Sequence, residues 1–123
     1  LLDAIKYLSS KKVKLVITTD HGSVKVDNAV KIVGDKDTTT NLRYKTGKRM
    51  TYDPKEVFEI AKPIDALLPT QHVSSRFVFS KENDFFVYPN NLNHYAKYYK
   101  DTFQHGGISM EEMLIPLIVL EPK

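Results

Sequence analysis

Asp20, His21 and Gly22 make up the first segment of the chain whose residue types could do chemistry. They come just after an apolar and β-branched run, residues 13–18, which predicts a buried strand of a parallel sheet. Ligand sites gather at the carboxyl ends of strands in open α/β sheets, and glycine allows the chain to turn there. A carboxylate oxygen beside an imidazole nitrogen suits zinc or manganese, so Asp20 and His21 are candidate ligands of one ion. The alternative is an ordinary strand cap or surface turn.

The second segment is His105-Gly106-Gly107, which lies just before a predicted short helix. That helix is indicated by Ser109-Met110-Glu111-Glu112, a capping-box pattern in which the last residue reaches back to the first. Two glycines allow the backbone to approach an ion or a phosphate closely, and a helix start favours anions. The alternative is a flexible loop with a solvent-facing histidine. Because both segments adjoin apolar runs that fit one sheet, we expect His105 to face the same cavity as His21.

Basic side chains between these segments offer a weaker candidate for substrate binding. Arg43 is the candidate contact for a substrate phosphate, because a guanidinium binds phosphate oxygens in a bidentate manner. It belongs to a basic cluster with Lys45, Lys48 and Arg49, for which the alternative is a solvated run of charges.

A tyrosine-rich stretch near the second segment has two interpretations. Tyr95, Tyr98 and Tyr99, with lysines beside them, could form a stacking platform for single-stranded nucleic acid. Packing over the domain with the hydroxyls in solvent is the favoured interpretation. His94 in this stretch and His72 before it are interpreted as surface or packing histidines rather than metal ligands.

Composition places the chain among ordinary globular domains and excludes several classes of site. At 123 residues it is one domain or a piece of one, and its net charge of +3 is too small to indicate nucleic acid by itself. It has no cysteine, which excludes disulfides and thiolate metal sites, and we expect a cytoplasmic location. No apolar run approaches the roughly 20 residues of a membrane helix, so no membrane is expected as a partner.

Hydrophobic spacing indicates the elements that must position these residues. Residues 1–10 predict the end of an amphipathic helix, so we expect further residues upstream, and the strand at 13–18 follows. Residues 76–80 and 84–88 predict the two strands of a hairpin, and residues 117–120 predict a final buried strand. The predicted fold class is therefore α/β, with a mostly parallel sheet core interrupted by antiparallel β excursions.

The two candidate segments resemble a known family. Asp20-His21-Gly22 after its strand resembles the Asp-His metal motif of the alkaline phosphatase superfamily. Residues 105–116 read His-Gly-Gly-Ile-Ser-Met-Glu-Glu-Met-Leu-Ile-Pro and are similar to the His-Gly-Gly-x-Ser-x-Glu-Glu segment of that superfamily's PglZ domains. More specifically, residues 33–45 and 84–91 resemble PorX-type two-component response regulators. Those proteins join a receiver domain to a C-terminal PglZ domain and are linked to type IX protein secretion.

The resemblance covers essentially the whole chain and implies that residues 1–123 are the C-terminal part of a PglZ domain. The nucleophilic Thr or Ser and the remaining metal ligands would lie upstream, together with any receiver domain. The implied fold is a partial alkaline-phosphatase-like sheet, whose uncovered edges favour self-association of this chain. We expect the isolated chain to be inactive, with no catalytic residue in it, and Thr18 and Thr19 to be structural.

The resemblance also implies that the candidate ligands bind two different zinc ions. Asp20 and His21 would hold the zinc that activates the nucleophile, and His105 would hold a second zinc on the leaving-group side. Two such ions, roughly 4 Å apart, clamp a phosphoryl group for in-line displacement. The implied function is a zinc-dependent phosphodiesterase or phosphatase that acts on a phosphoester, with a nucleotide or oligonucleotide as candidate substrates. The alternative is a non-catalytic regulatory module that binds protein or nucleic acid.

Overall fold

The computed structural model describes residues 1–70 and 72–122, which form a mixed α/β fold of short elements, so the predicted fold class is confirmed. The helices are α1 (Leu2–Ser9), α2 (Leu92–Tyr99) and α3 (Met110–Met113), with a 3-10 helix at Pro63–Ala66. The strands are β1 (Leu15–Thr18), β2 (Val24–Lys25), β3 (Asn28–Lys31), β4 (Val33–Gly34), β5 (Tyr44–Gly47), β6 (Met50–Thr51), β7 (Val57–Ile60), β8 (Arg76–Ser80), β9 (Asp84–Val87), β10 (Phe103–Gln104) and β11 (Leu117–Leu120). None of the helices in the two described ranges is long and apolar enough to cross a membrane.

The sheets are small and almost all antiparallel. β8 lies between β5 and β7 in a three-stranded antiparallel sheet. β1 pairs with β11, β2 with β10 and β4 with β6, each in antiparallel orientation. Within the described residues only β3 and β9 pair in parallel. The expectation of a mostly parallel core is therefore wrong, because an apolar run predicts a strand but does not indicate the direction of its partner.

The hairpin predicted for β8 and β9 is also wrong, although both strands form. The carbonyl oxygens of Leu42 and Arg43 accept hydrogen bonds from backbone N–H groups of both strands. The Ser80 N–H donates to the Arg43 carbonyl oxygen at 3.0 Å, and the Phe86 N–H donates to the Leu42 carbonyl oxygen at 2.8 Å. β8 and β9 therefore diverge and pair with different strands.

Two clusters of buried apolar side chains form the core, and β9 contributes to both. The first cluster contains Phe86 of β9 together with Val30, Ile32, Val57 and Val78. The second contains Phe85 and Val87 of β9 together with Val24 and Val26. Successive side chains of a strand point to opposite sides, which explains why neighbouring residues of β9 join different clusters.

β1 and β11 form a separate two-stranded ribbon whose apolar side chains are largely open to solvent. Leu15 pairs with Leu120 at one end, and Thr18 pairs with Leu117 at the other. Leu117 is 71% exposed, and all four residues of β11 are exposed. α1 also has no buried residue. The expectation that these two strands are buried is therefore wrong, because all four residues of β11 are exposed and Leu15 and Ile17 of β1 are only half-buried.

The exposed ribbon predicts self-association of the chain in solution. Strands with free edges and exposed apolar faces pair readily with further strands. At micromolar concentration we expect light scattering coupled to size-exclusion chromatography to give a mass above the 14.1 kDa of one chain. Leu117→Glu should shift the mass toward the monomer, whereas Leu67→Glu, at a 93% exposed position after the 3-10 helix, should leave it unchanged. A monodisperse wild-type monomer would contradict the prediction.

Candidate metal centre

Two threonines anchor the segment that follows β1. Thr18 Oγ1 donates to the Pro116 carbonyl oxygen at 2.8 Å, which ties the end of β1 to the residue before β11. Thr19 Oγ1 donates to the His21 carbonyl oxygen at 3.0 Å. Both hydroxyls therefore hold backbone in place, as expected of structural residues.

The imidazole rings of His21 and His105 are stacked face to face. Their centroids are 3.9 Å apart, and their planes differ by only 8°. Both residues are exposed to solvent. The structure thus brings together the two histidines that lie in separate segments of the sequence.

The loop that carries His21 also orients its ring. His21 Nδ1 lies 2.8 Å from the Gly22 carbonyl oxygen. A carbonyl can only accept a hydrogen bond, so Nδ1 carries the proton and the lone pair is left on Nε2. Asp20 Oδ1 lies 3.7 Å from that Nε2 atom. The loop therefore presents two neighbouring donor atoms that can bind a cation.

These donors fit part of a zinc site. Zinc bonds of about 2 Å in tetrahedral geometry place two ligand atoms about 3.4 Å apart, close to the 3.7 Å between Asp20 Oδ1 and His21 Nε2. Within residues 1–70 and 72–122, no three His, Asp or Glu side chains converge as a metal-binding group. The described residues thus supply donors for a metal centre without a complete ligand set.

A buried ion pair between Arg43 and Glu112 joins the segments that carry the two histidines. Arg43 Nε donates to Glu112 Oε1 at 3.0 Å, and Arg43 Nη2 donates to Glu112 Oε2 at 2.9 Å. The two side chains are 0% and 1% exposed. The same carboxylate accepts the backbone N–H groups of Gly107 at 2.9 Å and Ser109 at 3.2 Å. Glu112 thereby holds the loop after His105 against the start of α3, which confirms the predicted contact of Glu112 with the Ser109 N–H, whereas the Ser109 hydroxyl makes no hydrogen bond within the described residues.

Backbone and amide contacts attach both histidine loops to this pair. The Gly22 N–H donates to the Glu112 carbonyl oxygen at 2.9 Å. Asn41 Nδ2 donates to the His105 carbonyl oxygen at 3.4 Å, while Asn41 Oδ1 accepts the Arg43 N–H at 2.7 Å. The positions of the two stacked rings therefore depend on the Arg43–Glu112 pair.

Two glycines make the close approach of the loops possible. A Cβ at Gly22 would overlap the Glu111 carbonyl oxygen, so the first loop can lie against α3 only without a side chain there. Gly106 has a φ of 98°, in the left-handed region that L side chains rarely adopt. A Cβ at Gly106 would also lie 2.7 Å from Asn41 Nδ2.

The burial of Arg43 argues against its predicted role as a substrate-phosphate contact. Arg43 Nη1 donates to the Asp84 carbonyl oxygen, and the whole residue is 0% exposed. Each of the three guanidinium nitrogens donates to Glu112 or to the Asp84 carbonyl oxygen, so none is left without a partner for a substrate phosphate. The predicted basic cluster is divided by burial as well, because Lys45 is buried whereas Lys48 and Arg49 are exposed.

The ionised form of Glu112 is stabilised by its hydrogen-bond donors. Burial raises the pKa of Glu112, but the Arg43 guanidinium and the two backbone N–H groups outweigh this effect. They hold the pKa of Glu112 below its ordinary value of 4.5. The carboxylate is therefore ionised throughout the neutral range.

Sequence reasoning missed the ion pair and the role of Asn41. The capping-box pattern was the signal that located Glu112, but its partner Arg43 lies 69 positions away in the chain. Asn41 has the type and position of an ordinary loop residue, and no spacing connects it to His105. Such contacts between distant segments leave no periodic signal in a single sequence.

A known protein family matches nearly the whole chain. The family model described as the BREX system PglZ alkaline phosphatase-like domain matches residues 1–120. The matched range includes both histidine loops and the ion pair that joins them. A search of curated proteins gave no match.

Breaking the buried pair should destabilise the chain far more than breaking an exposed pair of the same length. Arg43→Leu leaves the Glu112 carboxylate buried without its partner, and we expect it to lower the free energy of unfolding by about 3–5 kcal/mol. The control is Arg76→Leu, because Arg76 Nη1 lies 2.9 Å from Glu59 Oε1 in a pair that is 43% and 31% exposed. That substitution should cost about 0–1 kcal/mol. Urea denaturation measures both values, and equal losses would contradict the assignment.

The depressed pKa of Glu112 predicts that the centre is sensitive to acid. The folded carboxylate has a lower pKa than the unfolded one, so the unfolded state binds more protons as the pH falls below about 4.5. The stabilisation is complete above that pH and is lost as the pH falls through the folded pKa. Between about pH 6 and about pH 3, the melting temperature should fall more steeply for the wild type than for the uncharged variant Glu112→Gln. Parallel profiles for the two proteins would count against this interpretation.

Proposed function

Because this chain belongs to the family of PglZ alkaline phosphatase-like domains, we propose that residues 1–123 are the C-terminal part of a metal-dependent phosphoester hydrolase domain. By family it is a phosphoesterase-type domain. The observation that carries the proposal is the stack of His21 on His105, with the Asp20 carboxylate 3.7 Å from His21 Nε2. Two segments of family-like sequence meet at this point.

The proposed metal ligands are Asp20 and His21 for one ion and His105 for a second, with zinc as the metal of the complete domain. The Nδ1–H group of His21 donates to the Gly22 carbonyl oxygen, which supports a ligand role for Nε2. Zinc bound there would offset negative charge that develops on the phosphoryl oxygens of the substrate. The nucleophile and the remaining ligands are proposed to come from upstream of this sequence, and the isolated chain is proposed to be inactive.

The other residues of the centre are proposed to position these ligands. The Glu112 carbonyl oxygen holds the Gly22 N–H, and Asn41 holds the carbonyl oxygen of His105. Each contact reaches the backbone of a histidine loop, so the rings keep their relative position before substrate arrives. The charge of Arg43 is neutralised by Glu112, so substrate phosphate is left to the metal ligands and to residues that are proposed to lie upstream of this sequence.

The cellular context of the complete protein is the finer part of the proposal. Residues 33–45 and 84–91 resemble PorX-type response regulators, which supports a receiver domain in the full-length protein and a link to type IX secretion. The absence of cysteine supports a cytoplasmic location. The candidate substrates are a nucleotide or an oligonucleotide, and the net charge of +3 is compatible with an anionic substrate without selecting one.

A second candidate function is a non-catalytic regulatory module that binds protein or nucleic acid. The incomplete ligand set of the described residues is compatible with this function and with the hydrolase. The two functions differ in what the upstream part of the full-length protein contains. A Thr or Ser after the first strand, together with further Asp and His ligands, supports the hydrolase, and replacement of those residues supports the module.

Removing either stacked histidine should weaken metal binding by the chain. We expect weak binding of cobalt(II), a spectroscopic substitute for zinc, because the described residues form an incomplete ligand set. His21→Ala removes a ligand of the first ion and should lower its affinity by more than the about 10–100-fold that loss of an outer-shell partner costs, and His105→Ala should do the same for the second ion. His72→Ala, at an exposed position before β8, is the matched control and should bind like the wild type. The visible absorption of bound cobalt measures all four proteins.

The same substitutions test the activity in the full-length protein. His21→Ala and His105→Ala should abolish release of nitrophenolate from bis(4-nitrophenyl) phosphate, and His72→Ala should preserve it. Unchanged turnover in either variant rejects the assignment of that ligand. Equilibrium dialysis that finds two tightly held zinc ions on the 123-residue chain would overturn the view that its ligand set is incomplete.

A further inference from the structure

A pocket lies between α2 and β9, outside the candidate metal centre. Its volume is about 260 Å³, just below the range of about 300–1,000 Å³ that is typical of ligand pockets. Leu42 and three tyrosines, Tyr88, Tyr95 and Tyr99, form much of its wall, and Lys45 contributes the cationic part. Neither the metal centre nor the proposed hydrolysis uses any of these side chains.

The lysine in this wall is buried without an anionic partner. Lys45 is 1% exposed, and its Nζ donates to the Thr39 carbonyl oxygen at 3.0 Å. The same Nζ lies 4.7 Å from the centroid of the Tyr88 ring, in a cation–π contact. No carboxylate of the described residues lies within 4.0 Å of it. A buried charge without a counter-ion is costly, so its presence in a pocket wall calls for a functional explanation.

The protonation of Lys45 is compatible with binding an anion. Burial lowers the pKa of Lys45 from 10.5 to about 8, so the ammonium form still predominates at neutral pH. An ammonium has three donors. The Thr39 carbonyl oxygen takes one of them and the Tyr88 ring faces the group, which leaves donor capacity for a further acceptor.

The tyrosines give the pocket flat and well-supported walls. The rings of Tyr95 and Tyr99 are stacked with centroids 6.2 Å apart and planes that differ by 17°. Tyr99 is supported in turn by an edge contact with the buried ring of Phe85, at 6.3 Å. Aromatic walls of this kind favour a planar aromatic ligand over an aliphatic one of equal size.

We propose that this pocket binds a small planar aromatic anion, whose acidic oxygen accepts a hydrogen bond from Lys45 Nζ while its ring lies against the tyrosines. The volume limits the ligand to about one ring with its acidic substituent. Such a ligand supplies the counter-ion that Lys45 lacks and covers the apolar surface of Leu42. The site is separate from the metal ligands, so it does not depend on the proposed hydrolysis.

The first test compares three probes on the wild-type chain by isothermal titration calorimetry. Benzoate has both the ring and the charge, cyclohexanecarboxylate has the charge without the aromatic ring, and benzyl alcohol has the ring without the charge. We expect a Kd of about 1 mM or lower for benzoate, and binding weaker by about tenfold or more for each of the other two. Undetectable benzoate binding overturns the proposal, and so does equal binding of benzoate and either of the other probes.

The second test locates the bound benzoate. Lys45→Met keeps most of the length of the side chain and removes its charge, and it should weaken benzoate binding by about tenfold or more. Lys97→Met, at an exposed position of α2, is the matched control and should stay within about twofold of the wild type. Equal affinities of Lys45→Met and the wild type overturn the proposal. If Lys45→Met does not fold, NMR shifts of Tyr88, Tyr95 and Tyr99 on adding benzoate to the wild-type chain decide the location, and unshifted tyrosines overturn it.

Discussion

A guanidinium and a carboxylate that are both withdrawn from water hold the candidate metal centre together. Desolvation of two charges is costly, and the cost is offset only when nearly every remaining hydrogen-bonding group finds a partner. Glu112 meets this condition with Arg43 and two backbone N–H groups. Arg43 lies 69 positions from Glu112 in the chain, so the pair forms only when the two segments are in their final places.

The centre combines a buried support with an exposed pair of rings. The Arg43–Glu112 pair lies in the interior, whereas His21 and His105 are open to solvent and stack only on each other. An open pair of imidazoles is accessible to further ligands and to a substrate, and a buried support keeps it from moving as they bind.

The sequence predicted local features better than it predicted contacts between distant segments of the chain. The amphipathic spacing of α1, the capping box of α3 and both histidine motifs depend on residues close together in the chain, and the family match agrees with the motif resemblance. The pairing of β8 and β9, the direction of the sheets and the burial of Arg43 depend on contacts between distant segments. Arg43 shows the difference well, because a guanidinium has the same chemistry toward a phosphate as toward Glu112. Only the fold decides which of the two it meets.

β9 lies between the two apolar clusters of the core and contributes side chains to both. Phe86 faces one apolar cluster while Phe85 and Val87 face the other, and the backbone of β9 is paired with β3 along four residues. A shift of one position in the pairing of β9 with β3 would turn all three side chains toward the wrong cluster. Because both clusters depend on the same strand, we expect them to unfold together in a single cooperative transition.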